Sequence, residues 1–140
     1  MTKTVTGGCQ CGGVQYEMDV VLPHKLHICH CKDCQRQSGG GFSITYIIDE
    51  NAFRVTKGVL KSFTMKAQSG RDKAGAFCPN CGNRIYNYVA WRPGTVSIKP
   101  GTLDDTSFID PKRHVWTASK QSWVTLPSDA EAYDHGPPGS

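Results

Sequence analysis

Seven cysteines in 140 residues constrain this chain more than anything else in it, because they fall into three tight groups. Cys9 and Cys11 stand one residue apart in "GGCQCGG". Cys29, Cys31 and Cys34 crowd into "CHCKDC", and Cys78 and Cys81 form the knuckle "CPNCG". An odd count cannot pair completely into disulfides, and C-x-C and C-x2-C spacings suit a metal better than cystine. On an extended strand residues i and i+2 face the same side, so each C-x-C pair is expected to aim two sulfurs at one point. In the knuckle, Pro79 sets a turn that brings Cys81 round to Cys78, and Gly82 is free to take a positive φ.

A knuckle plus a distant C-x-C pair supplies four thiolates, the ligand set of a structural zinc. Seven cysteines then divide as four plus three. Joining Cys29 and Cys31 to the knuckle would strand Cys34 about twenty residues from Cys9 and Cys11 and force a second chain closure that a local triad avoids. The closed site is therefore assigned to Cys9, Cys11, Cys78 and Cys81, and a second, open site to Cys29, Cys31 and Cys34. Three protein ligands with one exchangeable position is the pattern of a catalytic zinc. Two alternatives stay open for the triad. A histidine closes it, His27 being best placed because positions 27, 29 and 31 share a strand face while His30 points the other way. Or the thiols hold no metal and one of them is a reactive cysteine. His114, in "HVW", reads as a packed or hydrogen-bonded histidine, and His24 and His135 lie in loop or tail sequence without a signal.

The rest of the chain reads as mainly β. The segments 12–18, 42–48, 52–58, 60–67, 84–91 and 95–101 are rich in β-branched and aromatic residues, and several alternate with period two. Gly58 marks an expected hairpin turn between two of them. One short helix is expected to begin near Lys32 and to end at Gly39–Gly41, since glycines stop helices readily. The length fits a single domain over residues 1–127, followed by a polar, Pro- and Gly-rich tail over 128–140 expected to be loose. The formal net charge is +4, with lysines and arginines scattered singly, which argues against a nucleic-acid face. No apolar run approaches the ~18 residues of a membrane span. The N-terminus lacks the apolar stretch of a secretory signal, so the thiols are expected in a reducing cytoplasm.

The motifs "GGCQCGGVQYE", "CHCKDCQRQSGGGF", "FCPNCGNRIY", "GTLDD" and "HVW" followed by "SWV" resemble, in order and spacing, the glutathione-dependent formaldehyde-activating family, also called the centromere-protein-V/GFA domain. The resemblance runs from about Gly7 to Leu126. It implies an Mss4-like fold of small packed antiparallel sheets with zinc knuckles. It also implies a structural zinc on Cys9, Cys11, Cys78 and Cys81, and a labile catalytic one on Cys29, Cys31 and Cys34. The implied activity is that of a carbon-sulfur lyase resembling S-(hydroxymethyl)glutathione synthase, in which a zinc-activated thiol reacts with a small aldehyde, with glutathione as co-substrate. Such a site carries net negative charge, and Lys32 and Arg36, flanking Cys34, are the candidates to offset it and to receive glutathione carboxylates; two solvated side chains are the alternative. Against the enzyme stand two other readings: a non-catalytic carrier for a thiol or small electrophile, and an interaction domain in which both zincs are structural.

Overall fold

The protein is described here by a computed structural model over residues 3–137. Eleven strands among the described residues make it mainly β: β1 (Lys3–Gly8), β2 (Gln15–Val20), β3 (Leu26–Cys29), β4 (Ser43–Asp49), β5 (Phe53–Lys57), β6 (Lys61–Lys66), β7 (Asp72–Phe77), β8 (Arg84–Val89), β9 (Thr95–Ile98), β10 (Arg113–Val115) and β11 (Glu131–Ala132). The one α-helix among the described residues, α1 (Lys32–Ser38), lies where the glycine stop and the cysteine spacing place it, and Gly39 closes it with φ 68°. No helix among the described residues is long and apolar enough to cross a membrane. The chain forms two compact units, residues up to Lys25 with Tyr46–Phe108, and Leu26–Thr45 with residues from Ile109 onward.

In the first unit β1, β2 and β5 make a three-stranded antiparallel sheet, and β9, β8, β7 and β6 follow the end of β4 in a second antiparallel array. The alternation in β2 explains its placement, since Tyr16, Met18 and Val20 are buried while Gln15 is exposed. Tyr16 meets Phe53 at 5.0 Å between ring centroids, and Phe53 meets Tyr86 at 5.2 Å. With Ile85 and Ile98 fully covered beside them, each such side chain stabilises the unit by roughly 1.5–3 kcal/mol. Tyr16 keeps its hydroxyl partnered, 2.7 Å from the Thr102 hydroxyl. Gly58 does take a positive φ, 79°, but it does not close a hairpin: β5 pairs with β2, and β6 pairs with β7. Local turn chemistry fixed the bend, and pairing partners distant in sequence decided what it joins.

In the second unit the strand order is β11-β10-β3, and both pairings are parallel. Parallel neighbours need a crossover rather than a turn, which is why no hairpin signal marks them. Register sets Val115 opposite Cys29 and His114 opposite Ile28, and the His30 amide donates to the Val115 carbonyl at 3.0 Å. Within the segment that composition reads as loose, residues 133–135 are held by their backbone. Thr117 N donates to Tyr133 O at 3.1 Å and Trp116 N to His135 O at 3.0 Å. These bonds hold a short 3-10 turn, Thr117–Ser119, which the chain enters through Trp116 at φ 58°.

Candidate metal centres

The first unit brings Cys9, Cys11, Cys78 and Cys81 together, with all four sulfurs within 4.8 Å of one another. The Cys9 and Cys11 sulfurs are 3.6 Å apart, and those of Cys11 and Cys78 are 3.7 Å apart. A tetrahedron of Zn–S bonds near 2.3 Å has edges of about 3.8 Å, so the spacing fits zinc. Convergence is reached differently from the expected strand geometry. Cys9 and Cys11 sit in a turn after β1, where Gly12 N donates to Cys9 O at 3.1 Å and Gly12 adopts φ 76°. That turn aims backbone amides at sulfur: Val14 N to Cys9 Sγ at 3.2 Å, and Gly13 N to Cys11 Sγ at 3.4 Å. On the other side Gly82 N donates to Cys78 O at 2.8 Å, and Gln10 N donates to the Asn83 side chain at 2.9 Å, tying knuckle to turn. The Cys11 thiol is pulled down to about 6, chiefly by the Asn80 side chain, then by the Gly13 amide and Cys9. Cys81 is lowered as well, first by the Asn83 amide. Amides that stabilise thiolate are what a metal-holding cluster needs.

The second unit brings Cys29, Cys31 and Cys34 within the same 4.8 Å. Cys29 ends β3 and is buried; Cys31 and Cys34 are partly exposed. Cys31 is the N-cap of α1, with extended backbone at φ −66° and ψ 160°, and its sulfur accepts from Cys34 N at 3.4 Å. The run from Cys29 to Cys31 is thus extended enough to turn both sulfurs to one side and the fully buried His30 to the other. Among the described residues no histidine, aspartate or glutamate joins these three within that distance, His27 included. The Cys29 thiol is pushed far above the ordinary range, first by its hydrogen bond to Cys31, then by that to Cys34, and by burial. Three thiols this close resist joint ionisation, and a soft divalent cation is the partner that reverses this. The donor set therefore fits zinc here too.

Around the triad the structure assembles side chains that spacing arguments pass over. His30 Nε2 lies 3.0 Å from His114 Nδ1, the rings stack at 5.2 Å, and His30 Nδ1 is buried without a hydrogen-bond partner among the described residues. Burial lowers the affinity of both imidazoles for a proton. Gln35 is buried on the inner face of α1, a placement that a seven-residue helix is too short to advertise by periodicity. Lys32 and Arg36 lie one turn apart on α1 and both are exposed. Trp123 is 68% exposed, yet its indole N–H donates to Gln121 Oε1 at 2.6 Å, and its ring leaves no room for a side chain at Gly41, where a Cβ would lie 2.9 Å from it.

The fold is similar to that of a Rhodobacter sphaeroides protein solved by crystallography, with a TM-score of 0.58 at 20% identity over 76% of this chain and 91% of that one. Residues 4–119, which include all seven cysteines, match the family described as glutathione-dependent formaldehyde-activating enzyme. A match over most of the chain, joined to two cysteine clusters at metal-binding spacing, places it: the chain belongs to the glutathione-dependent formaldehyde-activating enzyme family.

Proposed function

We propose that the chain is a carbon-sulfur lyase-type enzyme that joins a small thiol, glutathione in the first instance, to a small aldehyde such as formaldehyde. The observation that carries this reading is the contrast between the clusters, four thiols in one and three in the other, with no further ligand group among the described residues beside the three. In this reading Cys9, Cys11, Cys78 and Cys81 hold a structural zinc, and Cys29, Cys31 and Cys34 hold the one at which reaction occurs. Zinc held there supplies positive charge that keeps sulfur deprotonated near neutral pH, where a free thiol is mostly protonated.

The chain's own residues do the remaining work. Buried Cys29 anchors the cluster from β3, and the partial exposure of Cys31 and Cys34 supports the entry of a substrate sulfur on their side. The thiol gives up its proton, its sulfur attacks the carbonyl carbon, and a carbon-sulfur bond forms. The carbonyl π pair moves to oxygen, which takes up a proton to give the S-hydroxymethyl adduct; nothing else is consumed. Lys32 and Arg36, both exposed on α1, are the cations this reading assigns to the carboxylates of glutathione. The matched family supports glutathione and an aldehyde as the substrate pair.

Exchange NMR on an equilibrated mixture of glutathione and formaldehyde measures the rate at which free thiol and adduct interconvert. The wild-type protein is expected to raise that rate and Cys34→Ser to return it to the buffer value. A wild-type rate no faster than buffer, across several thiols and aldehydes, would leave the enzyme reading without support.

A further inference from the structure

One carboxamide joins the segments that bear the triad. Gln35 is 7% exposed and is the one buried residue of α1. Its Nε2 donates to the His30 carbonyl at 2.8 Å and to the Ser119 carbonyl at 2.9 Å. Its Oε1 accepts from Gln121 Nε2 at 3.0 Å and, at 3.5 Å, from Lys32 Nζ. A carboxamide offers two N–H donors and two lone pairs, so its capacity is fully used. The partners also fix its orientation, because turning the amide over would set its oxygen against two carbonyl oxygens.

Where those partners lie gives the arrangement its meaning. His30 stands between Cys29 and Cys31, and Gln35 follows Cys34. One side chain therefore ties the extended run bearing two of the thiols to the helix bearing the third. The backbone repeats the tie, with Gln35 N donating to Cys31 O at 3.0 Å. Through Ser119 the same side chain fastens both to the turn that follows β10, and through Gln121 to the Gly40 carbonyl at 3.3 Å and to the Trp123 indole. Gln121 thus belongs to a chain of bonds running from an exposed tryptophan to the His30 carbonyl, between Cys29 and Cys31. A glutamine that merely filled a core would have no reason to converge on the backbone between two of the three thiols.

We infer that Gln35 is a positioning residue of the triad: it sets the distance between the Cys29–Cys31 run and Cys34, and thereby the shape of the zinc site, without touching substrate. The inference rests on the reading that the triad holds zinc. Partners that orient metal ligands typically contribute 10- to 100-fold in metal affinity, and that is the size of effect expected here.

Gln35→Glu keeps the length but sets oxygen against the two carbonyls, and Gln35→Met keeps the volume without any donor. Zinc affinity of the weaker site is read by competition with a chromophoric chelator, and the cobalt absorption of each variant reports ligand geometry. Both variants are expected to bind the second zinc 10- to 100-fold more weakly and to shift the triad's cobalt bands. The bands of the four-thiol site and the circular dichroism are expected to stay in place, a separation that general destabilisation would not produce. Gln121→Ala removes the stronger of the two bonds to Oε1, along with the bonds to Gly40 and Trp123, and leaves both Nε2 bonds of Gln35 in place; it is expected to weaken the second zinc less, and serves as the deciding variant where the Gln35 substitutions do not fold. A wild type that binds two zincs, together with variants whose second site is unchanged, overturns the inference alone. A wild type that takes up a single zinc overturns the zinc reading and the inference with it.

Discussion

Removing one cysteine pair from each cluster should have very different consequences, and the difference can be sized. Cys11 and Cys78 are 67 positions apart. A cross-link across a loop of that length removes roughly 4 kcal/mol of chain entropy from the unfolded state. The double substitution Cys78→Ser/Cys81→Ser takes away the knuckle and with it the closure. At about 4 °C per kcal/mol for a chain of this size, the melting temperature should fall on the order of 15 °C. Cys31→Ser/Cys34→Ser perturbs a run of six residues that is already closed by other bonds. Gln35 N still donates to the carbonyl of residue 31, and serine is among the best N-cap residues, so the helix start survives. The cost there is expected within about 1 kcal/mol, a few degrees. Thermal melts by circular dichroism, with zinc content by atomic absorption, make the comparison: each variant should lose one zinc, and only the knuckle variant should lose much stability. A triad variant that melts as low as the knuckle variant would refute the division into a structural and a reactive site.

Two further outcomes follow from packing and burial. Gly58 and Gly70 both hold positive φ, but a Cβ at Gly58 would lie 2.2 Å from the Gly13 carbonyl oxygen, whereas nothing lies within 4 Å of one at Gly70. Gly70→Ala should cost only the left-handed strain, about 1 kcal/mol, and Gly58→Ala about 3 kcal/mol because the turn carrying Cys9 and Cys11 must move; equal melting temperatures would contradict this. Tyr16 is pushed up to about 12, chiefly by burial, against an ordinary value near 10. Its contribution is whole below pH 10 and declines from pH 10 to 12, as the unfolded state ionises first. Urea midpoints across that window should fall less steeply for Tyr16→Phe than for wild type, and parallel slopes would count against the assignment.

The legible parts of this protein are those written locally. The knuckle, the triad spacing and the stop at Gly39–Gly41 each depend on residues within six positions of one another, and the structure sets all of them where spacing arguments put them. The parallel pairing of β10 with β3 depends on register between residues more than eighty positions apart, and a three-residue strand carries too little periodicity to announce it. Gly58 shows the same limit from the other side: it bends the chain with a positive φ, but the expected hairpin does not form because its flanking strands joined different sheets. Composition weighs side chains, so it carries no sign that Tyr133 and His135, within the C-terminal segment, are held by their carbonyls. Gln35 and the pairing of His30 with His114 escaped for a related reason. Neither residue is a thiol at ligand spacing, and their contacts form only once Ser119 and His114 arrive from the far end of the chain.

The most direct test of the account is whether an added thiol reaches the triad. Cobalt-substituted protein has ligand-field and thiolate charge-transfer bands that respond to ligand number at each site, and Cys34→Ser identifies which of them belong to the triad. Adding glutathione should change the triad's bands and leave those of the four-thiol site alone. Formaldehyde added afterwards should reverse part of the change by consuming thiol. Bands indifferent to glutathione, cysteine and every other small thiol, but shifted by His27→Ala, would show that a protein ligand closes the site and would contradict the account.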